Sequence, residues 1–273
     1  MSSSKSISEL HFFTITKTSE LWKSISSAIM TIIDEALFDA GPQGITFRSM
    51  DPSHIALIDI NWPSSAFEKY HCDSTIKFGV RIDELSKIIK RANANDSVEI
   101  GVVLDNSSLN IKTQGDGYLR NYKMRLIEST GNTSPLPQMT FDSKIVIGIE
   151  ILDKILSDVG AISEKITIDS SGISTNKKTV IFSGDSDRGE VRVTMDTDDD
   201  KSKVELLEEI TVKENSKSTY NIDFISKIIR AIGHQSSNLV TIEYSSNKPL
   251  RLEFLLLSGM VKLQFYLAPR VQD

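Results

Sequence analysis

The sequence predicts an α+β protein of two similar halves, each with two helices packed on antiparallel sheets. Two observations carry this prediction. A helix-like segment that starts at Ile82 recurs with nearly the same residues at Ile222, 140 positions further along the chain. Around these segments, apolar and polar residues alternate with period two, as in β-strands that bury one face. The repeat spans about half the chain, which indicates an internal duplication.

Four short segments share one helical plan. The two closest copies, residues 82–92 and 222–232, have Ile, Asp, Ser, Lys, Ile, Ile and a basic residue in register. Weaker copies at residues 18–25 and 149–156 align with them when their lysines are superposed. Counted from that lysine, positions −2, +2 and +5 are apolar and fall on the opposite side of a helix. We therefore predict four amphipathic helices, each with a lysine at the centre of its exposed face.

The segments between the helices are predicted to be strands of antiparallel meanders, because short alternating runs are separated by Gly, Asn, Asp and Ser. The alternating runs are residues 98–103, 122–127, 165–168, 190–195 and 239–244. The predicted turns are residues 105–106, 115–117, 171–172, 184–189 and 246–247.

A polar stretch without apolar periodicity separates the two halves. It contains Gly131, Pro135 and Pro137 together with five Ser or Thr residues, a composition typical of linkers. We predict an N-terminal domain at residues 1–127, a linker at 128–140 and a C-terminal domain at 141–273.

The composition limits the class of protein. The chain has 273 residues, of which 39% are hydrophobic and 25% charged, enough for two domains with separate cores. No unbroken apolar run exceeds the four residues 254–257, so we expect neither a membrane span nor a secretory signal. The single cysteine, Cys72, excludes an internal disulfide and fits a reducing compartment.

The exposed faces of the predicted helices carry seven basic residues in a chain of net charge −6. For any one amphipathic helix, a solvated lysine face is the ordinary explanation. Repetition in one register favours a shared surface that contacts phosphates of a nucleic acid, although Glu20, Glu84 and Asp158 dilute it. Few aromatic residues lie on these faces, so base stacking is not indicated. The seven are Lys23, Lys87, Lys90, Arg91, Lys154, Lys227 and Arg230.

An enzyme is the competing class of protein. Its best candidates are the carboxylates Asp196, Asp198, Asp199 and Asp200 and the loop at 184–189. Consecutive aspartates in a polar run lack the burial that would separate their pKa values. The four histidines have no metal-ligand spacing, and no nucleotide-binding glycine loop is present. We predict no catalytic residue, no cofactor and no metal.

Two motifs extend the pattern. Ser-Met-Asp-x-Ser-His occurs at residues 49–54 and Tyr-Leu-Ala-Pro-Arg at residues 266–270. With the four helices, they resemble the DNA sliding clamps of archaea and eukaryotes, the proliferating cell nuclear antigen family, over residues 10–271. The chain stops soon after Val271, without the acidic tail of eukaryotic clamps, so an archaeal-type member is expected.

The resemblance implies the DNA-clamp fold and a processivity factor for DNA replication and repair. Three identical or paralogous subunits would form a closed ring whose helices face double-stranded DNA and hold it without sequence preference. The seven basic residues are the expected DNA contacts. A monomeric clamp-like adaptor that binds partner peptides without encircling DNA is the alternative. The expected location is the cytoplasm, with the nucleoid, or the nucleus in a eukaryote.

The resemblance also implies a pocket for partners, namely clamp loader, DNA polymerase, flap nuclease and ligase. Such partners insert a glutamine followed by an aliphatic and two aromatic residues. Methionine offers an adaptable wall, and proline and alanine a rigid floor. The alternative is that Met50 and Tyr266 fill a core, and the polar linker predicts reduced partner affinity. The pocket residues are Met50, His54, Ile55, Leu136, Pro249, Tyr266, Ala268 and Pro269.

In this family, ring closure pairs edge strands of adjacent subunits. By position, these strands are residues 118–127 and 190–196, although either could instead be internal to a sheet. The side chains expected at the subunit interface are Tyr118, Tyr122, Met124, Val191, Val193 and Met195.

Overall fold

A computed structural model describes residues 11–103, 107–128, 135–136, 138–170, 178–197 and 207–270. The chain divides into two compact units. The first comprises Met1–Pro52, Ile58–Ser134 and Leu256–Leu263, and the second comprises Ser53–Leu57, Pro135–Leu255 and Gln264–Asp273. Within the described ranges, every helix is too short or too polar to cross a membrane.

The first unit has two α-helices and antiparallel sheets. One sheet has the strand order β5-β1-β7-β8-β9, and another contains the order β4-β3-β2-β6. The elements are β1 (Phe12–Thr16), α1 (Glu20–Ile29), β2 (Glu35–Gly41), β3 (Gly44–Met50), β4 (Ala56–Pro63), β5 (Lys69–His71), β6 (Ile76–Arg81), α2 (Ile82–Ile89), β7 (Ser97–Val103), β8 (Ser108–Gly115) and β9 (Tyr118–Arg125).

The second unit repeats this plan, with two further helices and two antiparallel sheet regions. The strand orders are β13-β12-β11-β15 and β14-β10-β16-β17-β18. The elements are β10 (Ser143–Gly148), α3 (Ile149–Gly160), β11 (Lys165–Asp169), β12 (Lys178–Ser186), β13 (Gly189–Thr197), β14 (Leu207–Val212), β15 (Lys217–Asn221), α4 (Ile222–Ser236), β16 (Leu239–Tyr244), β17 (Leu250–Leu256) and β18 (Val261–Leu267).

All four predicted helices are present, and the α+β prediction is confirmed. Helix α2 is shorter than predicted, because it ends at Ile89 and Lys90 is its C-cap residue. Helix α4 passes a break at Gly233, whose φ of 64° lies in the left-handed region that favours glycine. Lys90 and Arg91 therefore lie at the end of α2 and not on its face.

The five alternating runs form strands, but one predicted turn is narrower than expected. Residues 184–186 continue strand β12, whose Ser186 pairs with Gly189 of β13. Only Asp187 and Arg188 form the turn, which is the two-residue length favoured by hairpins. The turns predicted at 105–106 and 171–172 and most of the linker lie outside the described residues.

Both units bury large apolar side chains beneath their helices. The core of the first unit includes an aromatic cluster, in which Trp22 of α1 packs against Trp62, with ring centroids 4.5 Å apart, and Phe67 stacks on Trp62 at 4.5 Å. In the second unit, branched aliphatic residues dominate the buried faces of α3 and α4, for example Ile155 and Ile229. Both cores exclude water from one face of each helix, which leaves the opposite face in solvent.

Candidate functional site

In the first unit, α1 and α2 pack side by side and direct their basic residues outward. Leu85 and Ile89 of α2 are buried, while the Lys87 side chain on the opposite face is 74% exposed. The Lys23 side chain of α1 is only 22% exposed. Ser26, which the lysine register places on the exposed face, is instead fully buried and donates its hydroxyl to the Lys23 carbonyl at 3.2 Å. Helix α1 therefore offers less basic surface than α2.

Both central lysines of this unit pair with acids one turn earlier in the helix. Lys23 Nζ lies 3.1 Å from Glu20 Oε1, and Lys87 Nζ lies 3.1 Å from Asp83 Oδ2. The hydrogen bond from Lys87 holds the pKa of Asp83 below its ordinary value, and Arg81 adds to this effect. The Asp83 carboxylate therefore stays charged at neutral pH and partly neutralises Lys87.

The second unit presents a similar pair, α3 and α4, with a bond between the helices. Arg230 of α4 donates Nε to Asp153 Oδ1 of α3 at 3.2 Å. Within α4, Lys227 Nζ lies 2.6 Å from Asp223 Oδ2. These are exposed pairs, worth at most about 1 kcal/mol each, so another anion can compete for the cations.

Three of the seven predicted cations have no acidic partner among the described residues. Lys90 and Arg91 follow one another at the end of α2, and Lys154 lies at the middle of α3. All three side chains are exposed. They are therefore the cations of the two helix pairs that are most available to an added phosphate.

The acidic partners of the other four were largely unforeseen. Of the three acids predicted to dilute the basic faces, Glu20 pairs with a cation, whereas Glu84 and Asp158 pair with none of the seven among the described residues. The other acidic partners are Asp83, Asp153 and Asp223. The four-residue spacing of Asp83–Lys87 and Asp223–Lys227 is a signal that could have found two of these pairs. Asp153 and Arg230 are 77 positions apart, so only the fold brings them together.

Both strands predicted at the subunit interface lie at sheet edges. Strand β9 is the last of its five-stranded sheet, and β13 is the last of its four-stranded sheet. Four of the six predicted interface side chains are half-buried, namely Tyr118, Tyr122, Val191 and Val193. The other two, Met124 and Met195, are buried within the single chain. Leu119, which was not among the predicted interface residues, is 52% exposed and is the largest apolar surface on β9.

The predicted pocket residues of the second unit combine a buried floor with exposed residues. Tyr266 is 4% exposed and its hydroxyl donates to Gln264 Oε1 at 3.2 Å. The Ala268 N–H donates to the Ile55 carbonyl at 2.8 Å, which joins the two motif segments. Ile55 is 39% exposed, and His54 is exposed with a φ of 60°. Leu136, Pro249, Ala268 and Pro269 are half-buried, as is Met50, which ends β3 of the first unit.

The described residues offer no site for a metal ion. No cluster of three or more His, Cys, Asp or Glu side chains is close enough to hold a metal there. Among the enzymatic candidates of the sequence, the acidic run Asp198, Asp199 and Asp200 lies outside the described residues, and Asp196 lies in strand β13.

The chain has two similar units, and each has a helix pair that carries cations and a sheet with an open edge. This arrangement defines the class of DNA sliding clamps. Residues 13–132 match the N-terminal domain of proliferating cell nuclear antigen, and residues 135–270 match its C-terminal domain. The chain belongs to the proliferating cell nuclear antigen family.

Archaeal relatives agree with this assignment. The DNA polymerase sliding clamp of Nitrosopumilus maritimus is 48% identical over 94% of this chain and 98% of its own length. That of Pyrococcus abyssi is 31% identical over 89% of this chain and 91% of its own length. Sliding clamps are processivity factors of DNA replication without catalytic activity, and the chain is therefore not an enzyme.

Solved structures support the fold. A. fulgidus proliferating cell nuclear antigen, solved with the C-terminal region of FEN-1 bound, is 26% identical to this chain, with a TM-score of 0.80 over 96% of this chain and 99% of its own. The Thermococcus kodakaraensis clamp is 22% identical with a TM-score of 0.85, covering 95% of this chain and 100% of that one, and shows the same fold. The A. fulgidus clamp thus binds a C-terminal segment of FEN-1.

The Asp83–Lys87 pair gives a direct test of the charges on α2. We expect Lys87→Met to raise the pKa of Asp83 toward its ordinary value, because the variant removes the hydrogen bond that lowers it most. In the wild type, this pair stabilises the folded state above the ordinary carboxyl pKa, and the stabilisation is lost as pH falls through the lowered pKa. Carboxyl-carbon NMR titration measures the shift.

Lys154→Met is the matched control for this titration. It removes an exposed helix lysine that has no acidic partner among the described residues. The control should leave the Asp83 pKa unchanged. An unchanged Asp83 pKa in Lys87→Met would contradict the pairing.

Proposed function

We propose that three copies of this chain close into a ring around duplex DNA and that the four helices of each copy face the phosphates. The observation that carries the proposal is that exposed cations recur on the solvent-facing sides of both helix pairs, in a chain of net charge −6. Because acidic residues outnumber basic ones in the whole chain, its remaining surface repels DNA, whereas the helix faces bring seven cations together. Archaeal clamps of the same family support the assignment.

The mode of contact follows from the ion pairs. Four of the seven cations already have a carboxylate within 3.2 Å, so a phosphate must compete with an acid of the protein for each of them. These four are Lys23, Lys87, Lys227 and Arg230. Only Lys90, Arg91 and Lys154 meet phosphates without such competition from described residues. The attraction is therefore weak, dependent on salt and indifferent to base sequence. A ring held by contacts of this kind slides along the duplex while its closure prevents escape.

Partner enzymes are proposed to dock on the second unit. Ile55 and His54 offer exposed surface beside the bond from Ala268 to Ile55, and Tyr266 forms a rigid buried floor. In the second unit, the residues proposed to form the pocket are His54, Ile55, Leu136, Pro249, Tyr266, Ala268 and Pro269. Its occupants would be short peptides from clamp loader, DNA polymerase, flap nuclease and ligase. The FEN-1 region bound to the A. fulgidus clamp supports this use of the family fold.

Subunits are proposed to join through strands β9 and β13. A strand with one unpaired edge exposes N–H and C=O groups that another chain can pair with. Strand β9 belongs to the first unit and β13 to the second, so β9 of one subunit would pair with β13 of the next, a head-to-tail contact. Such contacts form a closed ring when the rotation from one subunit to the next divides a full turn evenly. A protein that acts on chromosomal DNA is expected in the compartment that holds it, the archaeal cytoplasm.

The ring and the monomeric adaptor differ in mass. We expect the purified chain to elute at three times its 30.4 kDa chain mass, about 91 kDa, when size-exclusion chromatography is coupled to light scattering. A mass near that of a single chain would reject the ring and favour the adaptor. A homogeneous trimer would also show that one gene product is sufficient.

The basic faces are tested by Lys87→Ala, Lys90→Ala and Arg230→Ala combined. We expect this variant to remain trimeric while its half-life on closed circular DNA falls about tenfold, because phosphate contacts are lost in each subunit. Fluorescence of labelled protein on tethered DNA measures the retention at several salt concentrations.

A control with equal charge loss separates the helix faces from net charge. Lys77→Ala, Lys112→Ala and Lys144→Ala combined remove three lysines of strands β6, β8 and β10, each paired with a carboxylate. This control should retain DNA as well as wild type. Equal loss in both variants would show that net charge, and not the helix faces, determines retention.

The pocket is tested by Tyr266→Ala and by Ile55→Ser. We expect each to weaken binding of a peptide with a glutamine, an aliphatic and two aromatic residues by about tenfold or more, since anchor pockets dominate such interfaces. Isothermal titration measures the affinity. Ile55 is partly exposed, so its variant keeps the fold even if loss of the buried tyrosine does not.

Leu255→Ser is the matched control, since Leu255 is 51% exposed and is not a pocket residue. It should bind the peptide like wild type. Unchanged affinity in Ile55→Ser would exclude Ile55 from the pocket, and unchanged affinity in both pocket variants would reject the pocket itself.

A further inference from the structure

The two edge strands belong to the same kind of structural module. In the first unit, α2 is followed by the antiparallel strands β7, β8 and β9, and β9 is the edge. In the second unit, α3 is followed by β11, β12 and β13, and β13 is the edge. In both modules, a helix with exposed cations leads into a three-stranded meander that ends at a free edge.

In the first module, an arginine of the edge strand reaches back to the helix end. Arg120 of β9 donates Nη1 to the Arg91 carbonyl at 3.3 Å. Its guanidinium also lies over the Tyr118 ring, 3.9 Å from the ring centroid. A buried carboxylate, Asp96, accepts from the Tyr118 hydroxyl and from the Asn93 N–H, the latter at 2.7 Å. The start of β9 is thus tied to the loop that follows α2.

The second module has a corresponding arginine. Arg188, in the turn that leads into β13, donates Nη2 to the Ile162 carbonyl at 3.0 Å. Ser186 donates its hydroxyl to the same carbonyl at 2.8 Å. The hairpin that begins the edge strand is therefore attached to the chain directly after α3.

The two acceptor carbonyls occupy the same position relative to their helices. Arg91 directly follows Lys90, the C-cap of α2, and Ile162 directly follows Ala161, the C-cap of α3. Both acceptor carbonyls lie one residue beyond the C-cap, beside a helix end whose partial negative charge makes a guanidinium a favourable donor. The same arginine-to-carbonyl hydrogen bond at the same position in both modules indicates a shared structural feature and not an incidental surface contact.

A glycine in the middle strand allows each close approach. A Cβ on Gly115, the last residue of β8, would collide with the Asp96 carboxylate and the Tyr118 hydroxyl. A Cβ on Gly184 of β12 would lie 2.7 Å from Ser163 Cβ and 2.7 Å from Val159 Cγ1. In both modules, the hairpin therefore lies directly against the loop after the helix.

We propose that Arg120 and Arg188 are positioning residues that attach the two ring-closing edges to the ends of helices α2 and α3. This inference rests on the proposed ring. Attachment fixes the angle at which each edge meets the next subunit and lowers the cost of ordering it on association. It also joins the edge of the first unit to the end of α2 that bears Lys90 and Arg91.

The experiment compares Arg120→Gln and Arg188→Gln with two controls on the same strands. The side chains of Arg125 of β9 and Arg192 of β13 are exposed and have no hydrogen bond or ion pair with a described residue. Arg125→Gln and Arg192→Gln therefore remove the same charge from the same edges without removing an attachment. Trimer dissociation on dilution is measured by mass photometry, and amide hydrogen exchange is measured at the edges.

We expect each positioning variant to raise the dissociation concentration of the trimer by about three- to tenfold, in keeping with the modest strength of helix-end cations. Amides of β9 that pair with β8 should exchange faster in Arg120→Gln, and those of β13 in Arg188→Gln. The controls should match wild type in both measurements. Unfolding temperatures measured below the dissociation concentration should agree among all variants, which separates positioning from general stability.

Each contrary result has one meaning. A wild-type chain that is monomeric at every concentration overturns the ring and with it this role for the arginines. A trimeric wild type with unchanged dissociation in both positioning variants overturns the inference alone. Equal weakening by Arg125→Gln or Arg192→Gln overturns it as well, since edge charge would then account for the effect.

Discussion

The burial of one apolar stripe on each helix is the constraint on which the remaining features depend. The equivalent residues Leu21, Leu85, Leu152 and Ile225 are all at most 7% exposed. Burial of each such side chain stabilises the folded chain by about 1.5–3 kcal/mol, which outweighs the energy of any exposed ion pair. The lysine opposite the stripe is therefore directed away from the core, although to different extents, from 22% side-chain exposure at Lys23 to 74% at Lys87. Hydrophobic packing thus orients the cations that are proposed to meet DNA.

The acids on these helices give the proposed DNA contact its character. Asp83 and Asp223 lie four residues before Lys87 and Lys227, a spacing that also supports helix formation by about 0.2–0.5 kcal/mol per pair. The same acids lower the gain from each phosphate contact, since the lysine must exchange one anion for another. A carrier that must move along DNA benefits from contacts of this strength, because strong ones would hold it in place.

The local part of the architecture could be predicted, and the non-local part could not. Helix α2 and the lysine at its centre follow from a periodicity contained in the eleven residues 82–92. The burial of Ser26 does not, since it depends on the packing around α1. Sequence patterns likewise leave open whether β9 and β13 are edges or internal strands, because the answer depends on which strands pair. The Arg120 bond joins residues 29 positions apart, and neither partner belongs to a local pattern.

In the proposed pocket, Tyr266 would be a core residue and a binding residue at once. Tyr266 is 4% exposed and its hydroxyl is bonded to Gln264, so its rotamer is fixed before any partner arrives. A fixed floor adds no side-chain entropy cost to binding, whereas a mobile one would. Ile55 and His54 are exposed, and in the proposed pocket they would be the surface that a peptide meets first. Tyr266 would then act through the shape it preserves and Ile55 through the area it buries, so a substitution at Ile55 would report on contact and one at Tyr266 on shape.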